Sequence, residues 1–303
     1  MQRYIPTFVA VLISIVLIGF SHAARASSVV DAQWFAEHAG DAGVALLDLR
    51  PAQQYQRAHV TGSFSAPYQK WRMERKDLSG MAPSPEQMEK MLSALGVTAE
   101  THIVLLSGGF SAGDLASATR AFWTLKLIGH DKASILDGGL SGLPQPLLRK
   151  LLTQAVPAKP KPTQYVAKVN NDILATDQTI LDAAKHHVGV NDARSVAEYI
   201  GLYVTPEERP GAIPGATNVP YDWITVNGGG KLRSAETLRA VFALQGVDLS
   251  KPQITYCHTG HRASLNWFVM RELLGVADVK LYDASMANWA RNPERPIKAL
   301  ITP

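Results

Sequence analysis

"VALLDLRPAQQYQRAHVTGSFSAPY" (residues 44–68) and "VGVNDARSVAEYIGLYVTPEERPGAIPGATNVPYDW" (188–223) are two versions of one pattern. Each opens on an apolar, strand-like run and continues through Asp-x-Arg to a tyrosine seven residues after the aspartate. These residues are Asp48, Arg50 and Tyr55 in the first stretch, and Asp192, Arg194 and Tyr199 in the second. Each then makes a turn, at Val60-Thr61-Gly62 or Ile213-Pro214-Gly215, and closes on Pro67-Tyr68 or Pro220-Tyr221. Two more pairs follow in the same order. "THIVLLSGG" (101–109) matches "PQITYCHTG" (252–260), and "SILDGGLSGL" (134–143) matches "VKLYDASMANW" (279–289). A shared order of motifs along one chain is the mark of a tandem duplication, here with halves of roughly 120–140 residues.

Within each half, short apolar strands alternate with helical segments. In "RASLNWFVMRELLG" (262–275), Ala263, Trp267, Met270 and Leu274 share one helical face, and Gly275 ends it. "ETLRAVFALQG" (236–246) repeats the device with Leu238, Val241, Phe242 and Leu244 before Gly246. Alternation of this kind predicts an α/β fold, with a mostly parallel sheet flanked by helices in each half. The halves are assigned to residues 27–150 and 169–303. Residues 151–168, "LLTQAVPAKPKPTQYVAK", carry three prolines and little helical periodicity, which predicts an extended, semi-rigid linker.

The first 26 residues read as a secretory signal peptide. Arg3 precedes an apolar stretch from Ile5 to Phe20, and Ala24-Arg25-Ala26 presents small residues at a cleavage site. Removal leaves 277 residues and, with Arg3 and Arg25 gone, lowers the formal net charge from +4 to +2. Such a slight excess gives no argument for nucleic acid or an acidic membrane as partner. No second long apolar segment follows, so no stable membrane insertion is expected after cleavage. The reading points to the periplasm.

Cys257 is the only cysteine, so an internal disulfide is impossible. It sits in "ITYCHTGHRAS" (254–264), between a predicted strand and a predicted helix, where ligands bind in open parallel sheets. The unpaired N–H groups at a helix start favour an anion, and such surroundings lower a cysteine pKa. Gly260 lets the backbone curl into a nest, Thr259 adds a hydroxyl, and Arg262 adds a fixed charge. His258 and His261 add charge when protonated. Arg262 follows the cysteine by five positions rather than the six of cysteine phosphatases. The smaller loop fits one extra sulfur atom better than a tetrahedral oxyanion.

In these residues the chain resembles the tandem-domain rhodaneses, thiosulfate sulfurtransferases, over about residues 30–297. The motifs that carry the resemblance are "LDLRPAQQY", "HVTGSFSAPY" and "SILDGGLSGL" in the first half. In the second they are "DARSVAEY", "IPGATNVPY", "ITYCHTGHRAS" and "VKLYDASMANW". The resemblance implies two rhodanese domains, of which only the second is catalytic. Cys257 would accept the outer sulfur of thiosulfate as a persulfide and pass it to cyanide, another thiol or a protein thiol, with no metal or organic cofactor. Loop N–H groups from His258 to Arg262 would cradle the sulfur. Ser107 stands where Cys257 stands in the other half and cannot form a persulfide, so the first domain reads as an inactive copy. Two positions depart from the family pattern. Ala212 takes the place of the usual histidine that His59 keeps in the first half, and Ala284-Ser285 replaces the usual glycine pair.

Among the supporting residues, Asp192 is expected to pair with Arg262 and stiffen the loop, or else to serve architecture as Asp48 does. Arg194 faces the same choice against Arg50. Trp34 is a candidate for the cleft wall or the core. Three other functions compete with a thiosulfate sulfurtransferase. One is transfer from 3-mercaptopyruvate, which the cationic count of "HTGHR" disfavours; another is a non-catalytic persulfide carrier for a protein partner. The third is a serine hydrolase built on Gly109-Phe110-Ser111-Ala112-Gly113, with Asp137 and His187 recruited.

Overall fold

The computed structural model describes residues 27–75 and 78–301, so the proposed signal peptide lies outside the described residues. Ten strands in two main sheets are numbered here in chain order. The first sheet holds β1 (Val29–Val30), β2 (Val44–Asp48), β3 (Phe64–Ser65), β4 (His102–Leu106) and β5 (Ala133–Leu136). The second holds β6 (Leu174–Ala175), β7 (Gly189–Asp192), β8 (Thr217–Asn218), β9 (Gln253–Tyr256) and β10 (Val279–Tyr282). Their spatial orders are β1-β5-β4-β2-β3 and β6-β10-β9-β7-β8, all parallel, so the duplication seen in the motifs is also a duplication of topology. Register brings Asp48 opposite Leu106 and Asp192 opposite Tyr256. Each Asp-x-Arg therefore lies beside the loop that leaves the next strand.

Both faces of each sheet are covered, as parallel sheets require. In the first sheet Leu47, Leu105 and Ile135 face one way, toward the helix Ala112–Leu127. Leu46, Val104 and Leu136 face the other, with Phe35 and Val60. The Ala112–Leu127 helix is buried along most of its length because the second domain covers its far side with the helix His261–Phe268. Phe122 meets Phe268 edge-on at 4.9 Å, and Thr119 Oγ1 hydrogen-bonds Ser264 Oγ at 2.9 Å. One hydrophobic cluster thus crosses the domain boundary and includes Cys257. Each large apolar side chain buried there contributes about 1.5–3 kcal/mol.

Ala263, Trp267 and Met270 are fully buried, as their spacing predicts. Leu274 is half-buried and packs at the edge of the core, where the helix has widened into a π-turn over Val269–Leu273 that shifts its register from the predicted face. Leu238 and Phe242 are likewise buried, whereas Leu244 is exposed at the end of the Ala235–Leu244 helix. Leu151 still belongs to the helix Gln145–Leu151, and residues 152–168 are extended and pinned to the first domain. Leu152–Thr153 pairs antiparallel with His59–Val60, and Thr163 N donates to Ser93 O at 3.0 Å. Lys168 N donates to Ile128 O at 2.8 Å, and Tyr165 is buried against His130. Trp34 packs on His38 and His102 with the outward-facing cluster, away from the second domain, so it does not wall a cleft.

Candidate active site

Cys257 follows β9 directly and is 1% exposed. Its N–H donates to Ser285 Oγ at 3.1 Å, and its carbonyl accepts from Met286 N at 3.1 Å. Further along the loop, Gly260 and its φ of 72° turn the chain into the His261–Phe268 helix. A Cβ at that position would lie 2.6 Å from Arg120 Nη1 and 2.8 Å from Asp283 Oδ1, so both the bend and the crowding require glycine. With glycine as N-cap, no side chain caps the helix, and its first-turn N–H groups remain available to an anion.

The equivalent loop of the first domain is closed to an anion by its own side chains. Ser107 Oγ is buried with no hydrogen-bond partner. Beyond it, Ser111 Oγ caps the Ala112–Leu127 helix by accepting from Asp114 N at 3.1 Å. The Asp114 carboxylate accepts from Phe110 N at 2.8 Å, and a Cβ on Gly108 would stand 3.1 Å from it. A fixed negative charge thus occupies the mouth of the first loop. The two copies differ both in the residue that leaves the strand, Ser107 against Cys257, and in what fills the helix start. Ser111 serves as a helix cap, while the Asp137 carboxylate accepts from Leu232 N at 2.9 Å and His187 lies in the second domain. These engagements leave the hydrolase reading without an assembled triad.

The cations of the Cys257 loop are largely compensated within the domain. Arg262 Nη1 and Nη2 bind the two Glu198 oxygens at 2.6 and 2.8 Å. Burial would raise the Glu198 carboxyl, but the Arg262 hydrogen bonds and charge outweigh it and hold that group at about 2. Burial likewise opposes the charge on Arg262, yet Glu198, with Cys257 in support, raises its pKa further. His258 Nε2 lies 2.9 Å from Glu208 Oε1. His261 was expected to add charge when protonated, and here the expectation fails. Its Nδ1 meets Tyr68 OH at 2.5 Å, and burial, reinforced by Arg72, Arg120 and Arg262, lowers its pKa to about 3. His261 is neutral at physiological pH.

Guanidinium donors arrive instead from the first domain. Arg72 Nη2 donates to Thr259 Oγ1 at 3.0 Å, while its Nε is buried and unpaired. The fully buried Arg120 pairs with Asp283 through Nη2, lies 4.6 Å over the Trp123 ring, and keeps Nε and Nη1 without partners. Asp283 Oδ2 in turn accepts from Ala82 N at 2.9 Å. Buried donors without acceptors are costly unless a ligand satisfies them. Sequence reading missed Tyr68, Arg72, Arg120 and Asp283 as site residues because they belong to the other copy or to its partner network. Glu198 had a local signal, the Ser-x-x-Glu capping box of Ser195 to Glu198.

Asp192 does not pair with Arg262. Its carboxylate binds Arg194 at 2.7 and 3.1 Å, and Arg194 Nη2 also donates to Gly211 O at 2.8 Å. Asp48 and Arg50 do the same in the first domain, with Arg50 Nη2 reaching Ala58 O at 2.8 Å. The reason is reach: Arg194 is two residues away on the same turn, and Glu198 already satisfies Arg262. The repeated tyrosines complete the clamp, Tyr55 OH donating to Ser63 O at 2.5 Å and Tyr199 OH to Ala216 O at 2.7 Å. His59 bridges Tyr55 O and Ala155 O, tying the linker down, while Ala212 forms a backbone bridge with Lys298.

A family model described as Rhodanese-like domain matches residues 31–143 and again 177–292. The chain is 32% identical over 289 residues to a putative thiosulfate sulfurtransferase of Mycobacterium tuberculosis, covering 91% of this chain and 99% of that one. It is 30% identical over 281 residues to the 3-mercaptopyruvate sulfurtransferase of Escherichia coli, covering 89% and 97%. Among solved structures, the 3-mercaptopyruvate sulfotransferase SseA from Escherichia coli superimposes with a TM-score of 0.74 at 30% identity, over 86% of this chain and 98% of that one.

Proposed function

The chain belongs to the rhodanese family and is a sulfurtransferase, and from this premise we propose that it moves the outer sulfur of thiosulfate through a persulfide on Cys257. The Cys257 thiolate attacks the outer sulfur. A sulfur–sulfur bond forms to the enzyme, and the bond to the sulfite sulfur breaks, its electron pair leaving with sulfite. A thiophilic acceptor such as cyanide or a thiol, including a protein thiol, then attacks the outer persulfide sulfur and releases the Cys257 thiolate.

The observation that carries this reading is Arg120, a fully buried guanidinium beside Gly260 with two nitrogens unpaired. Its charge is shared with Asp283, but its unpaired N–H donors, together with the Arg72 guanidinium, suit a compact anionic donor. Near-complete burial of Cys257 also favours a small molecule over a bulky one. The uncapped N–H groups at the helix start support a cradle for the terminal sulfur anion.

A second reading, 3-mercaptopyruvate as donor, is favoured by the likeness to the Escherichia coli 3-mercaptopyruvate sulfurtransferase, since the same arginines suit a carboxylate. Intact mass after each donor, followed by kcat/KM for each, separates the two. The thiosulfate reading expects a one-sulfur gain that a thiol reagent reverses, absent in Cys257→Ser, and the higher kcat/KM with thiosulfate. A kcat/KM about tenfold higher with 3-mercaptopyruvate overturns the choice of donor. A persulfide that forms but does not turn over with small acceptors identifies a carrier instead. Export is part of the same proposal. Fractionated cells should yield a periplasmic chain beginning at Ser27, and a cytosolic chain retaining residues 1–26 would contradict it.

A further inference from the structure

Ser285 combines an unfavourable backbone with a site at the centre of the catalytic loop. Its φ is +50°, in the left-handed region that favours glycine, and it is fully buried. The first domain has glycine at the corresponding place: Gly139, with φ +57°, follows β5 as Ser285 follows β10. A Cβ on Gly139 would stand 2.7 Å from Ser107 O and Ser107 Oγ and 2.8 Å from Gly109 Cα. The inactive copy therefore has no room for a side chain there, whereas the active copy has opened the loop to admit one.

The hydroxyl admitted there forms three hydrogen bonds. Ser285 Oγ accepts from Cys257 N at 3.1 Å and Gly260 N at 3.2 Å, and donates to Tyr282 O at 2.7 Å. Two amides from opposite ends of the loop converge on one oxygen, which fixes the curvature of the segment that holds the thiol. The donation to Tyr282 O orients that oxygen, so its lone pairs face the loop. Cys257 O and His258 O are held from the same side by Met286 N and Ala287 N. The Ser285 hydroxyl also claims the Cys257 and Gly260 N–H groups, leaving those of His258, Thr259 and the helix start for a sulfur anion.

We infer that Ser285 is a positioning residue for Cys257: its hydroxyl clamps the loop in the curvature that stabilises a sulfur anion, and this function maintains serine where the backbone favours glycine. The inference rests on the sulfurtransferase reading only for its kinetic arm. Two variants separate the oxygen from backbone strain, since Ser285→Gly removes both and Ser285→Ala removes the oxygen alone. The pH profile of Cys257 alkylation by iodoacetamide, which needs no sulfur donor, should move its midpoint upward by about one pH unit in both variants. Persulfide formation from thiosulfate should slow about tenfold in both. Thermal melting should fall for Ser285→Ala, and stay level or rise for Ser285→Gly because glycine suits the φ. Wild-type alkylation midpoints in both variants would overturn the inference. So would a shift in only one of them, which would assign the effect to bulk or backbone. An unmodified wild type with either donor would refute the sulfurtransferase reading, while the alkylation profile would still decide the role of Ser285.

Discussion

Arg262 and Glu198 form a two-pronged ion pair, with both terminal guanidinium nitrogens within 2.8 Å of the two carboxylate oxygens. The side chains are 21% and 12% exposed, so neither charge is well hydrated. The pair fastens the helix start behind Cys257 to the segment Val196–Tyr199 that follows β7.

Removing one charge of such a pair leaves the other stranded. Glu198→Gln should lower stability by about 2–3 kcal/mol, somewhat less than for a wholly buried pair because some water reaches both groups. Urea unfolding reads this as a lower midpoint at unchanged slope. The substitution also uncovers a cation near the thiol, so the KM for thiosulfate should stay level or fall. A raised KM at unchanged stability would contradict this account.

Two groups near the loop make stability depend on pH in the same direction. His261 titrates at about 3 in the fold, against 6.5 for a free histidine, so the unfolded chain binds the extra proton first. Its contribution is full above pH 6.5 and is lost as pH falls toward 3. Glu198, at about 2 against 4.5, contributes fully above pH 4.5 and loses that as pH falls through 2. Melting temperature should therefore decline from about pH 7 to about pH 3, and His261→Gln should flatten the decline between 6.5 and 4.5. An unchanged slope in the variant would show that His261 is not the group responsible.

The Asp-x-Arg repeat, the strand–loop–helix around Cys257 and the extended linker were legible because each is local in sequence. The motif pair also carried its own control. Asp48 and Arg50 in the first half, which lacks the cysteine, make the same contacts as Asp192 and Arg194, which marks them as architecture. The electrostatics of the loop were not legible. "HTGHR" reads as a cluster of cations, yet Glu198, Glu208 and burial reduce it. The guanidinium that reaches the loop from outside, Arg72, lies 187 residues from its partner Thr259 in the chain. Local patterns report elements, whereas the sign and amount of charge at a site depend on which distant side chains the packing brings in.

The first domain offers a test of what the proposed chemistry of the Cys257 loop requires beyond a thiol. Ser107→Cys places a sulfur at the equivalent point, but Asp114 already holds the loop's Phe110 N–H and puts a negative charge there. In a Cys257→Ser background, Ser107→Cys should gain no sulfur atom from thiosulfate by intact mass. Removing the charge as well, with Asp114→Asn, should still leave the site inert, because Arg72 hydrogen-bonds the other loop at Thr259. A persulfide on the introduced thiol of the single variant would show that a thiol alone suffices, and one that forms only with Asp114→Asn would show that the Asp114 charge was the obstacle and that Arg72 is not required.

Arg72 reaches Thr259 only because Gly80 has no side chain. A Cβ at Gly80 would lie 1.9 Å from Arg72 Nη2 and 2.7 Å from its Cζ, so alanine there must push the guanidinium aside. The obstructed atoms are the far end of a flexible side chain, so the fold should survive with a loss of about 1–2 kcal/mol, mostly from the unfavourable φ of +76°. If Arg72 serves the anionic donor, Gly80→Ala and Arg72→Ala should raise the KM for thiosulfate alike. The expected rise is about tenfold, equivalent to about 1.4 kcal/mol, with kcat much less affected. The double variant should be no worse than Arg72→Ala alone, because the two changes remove one interaction. Additive losses would place the contribution of Gly80 elsewhere, and an unchanged KM in Arg72→Ala would remove Arg72 from donor binding and leave Arg120 as the anion's principal partner.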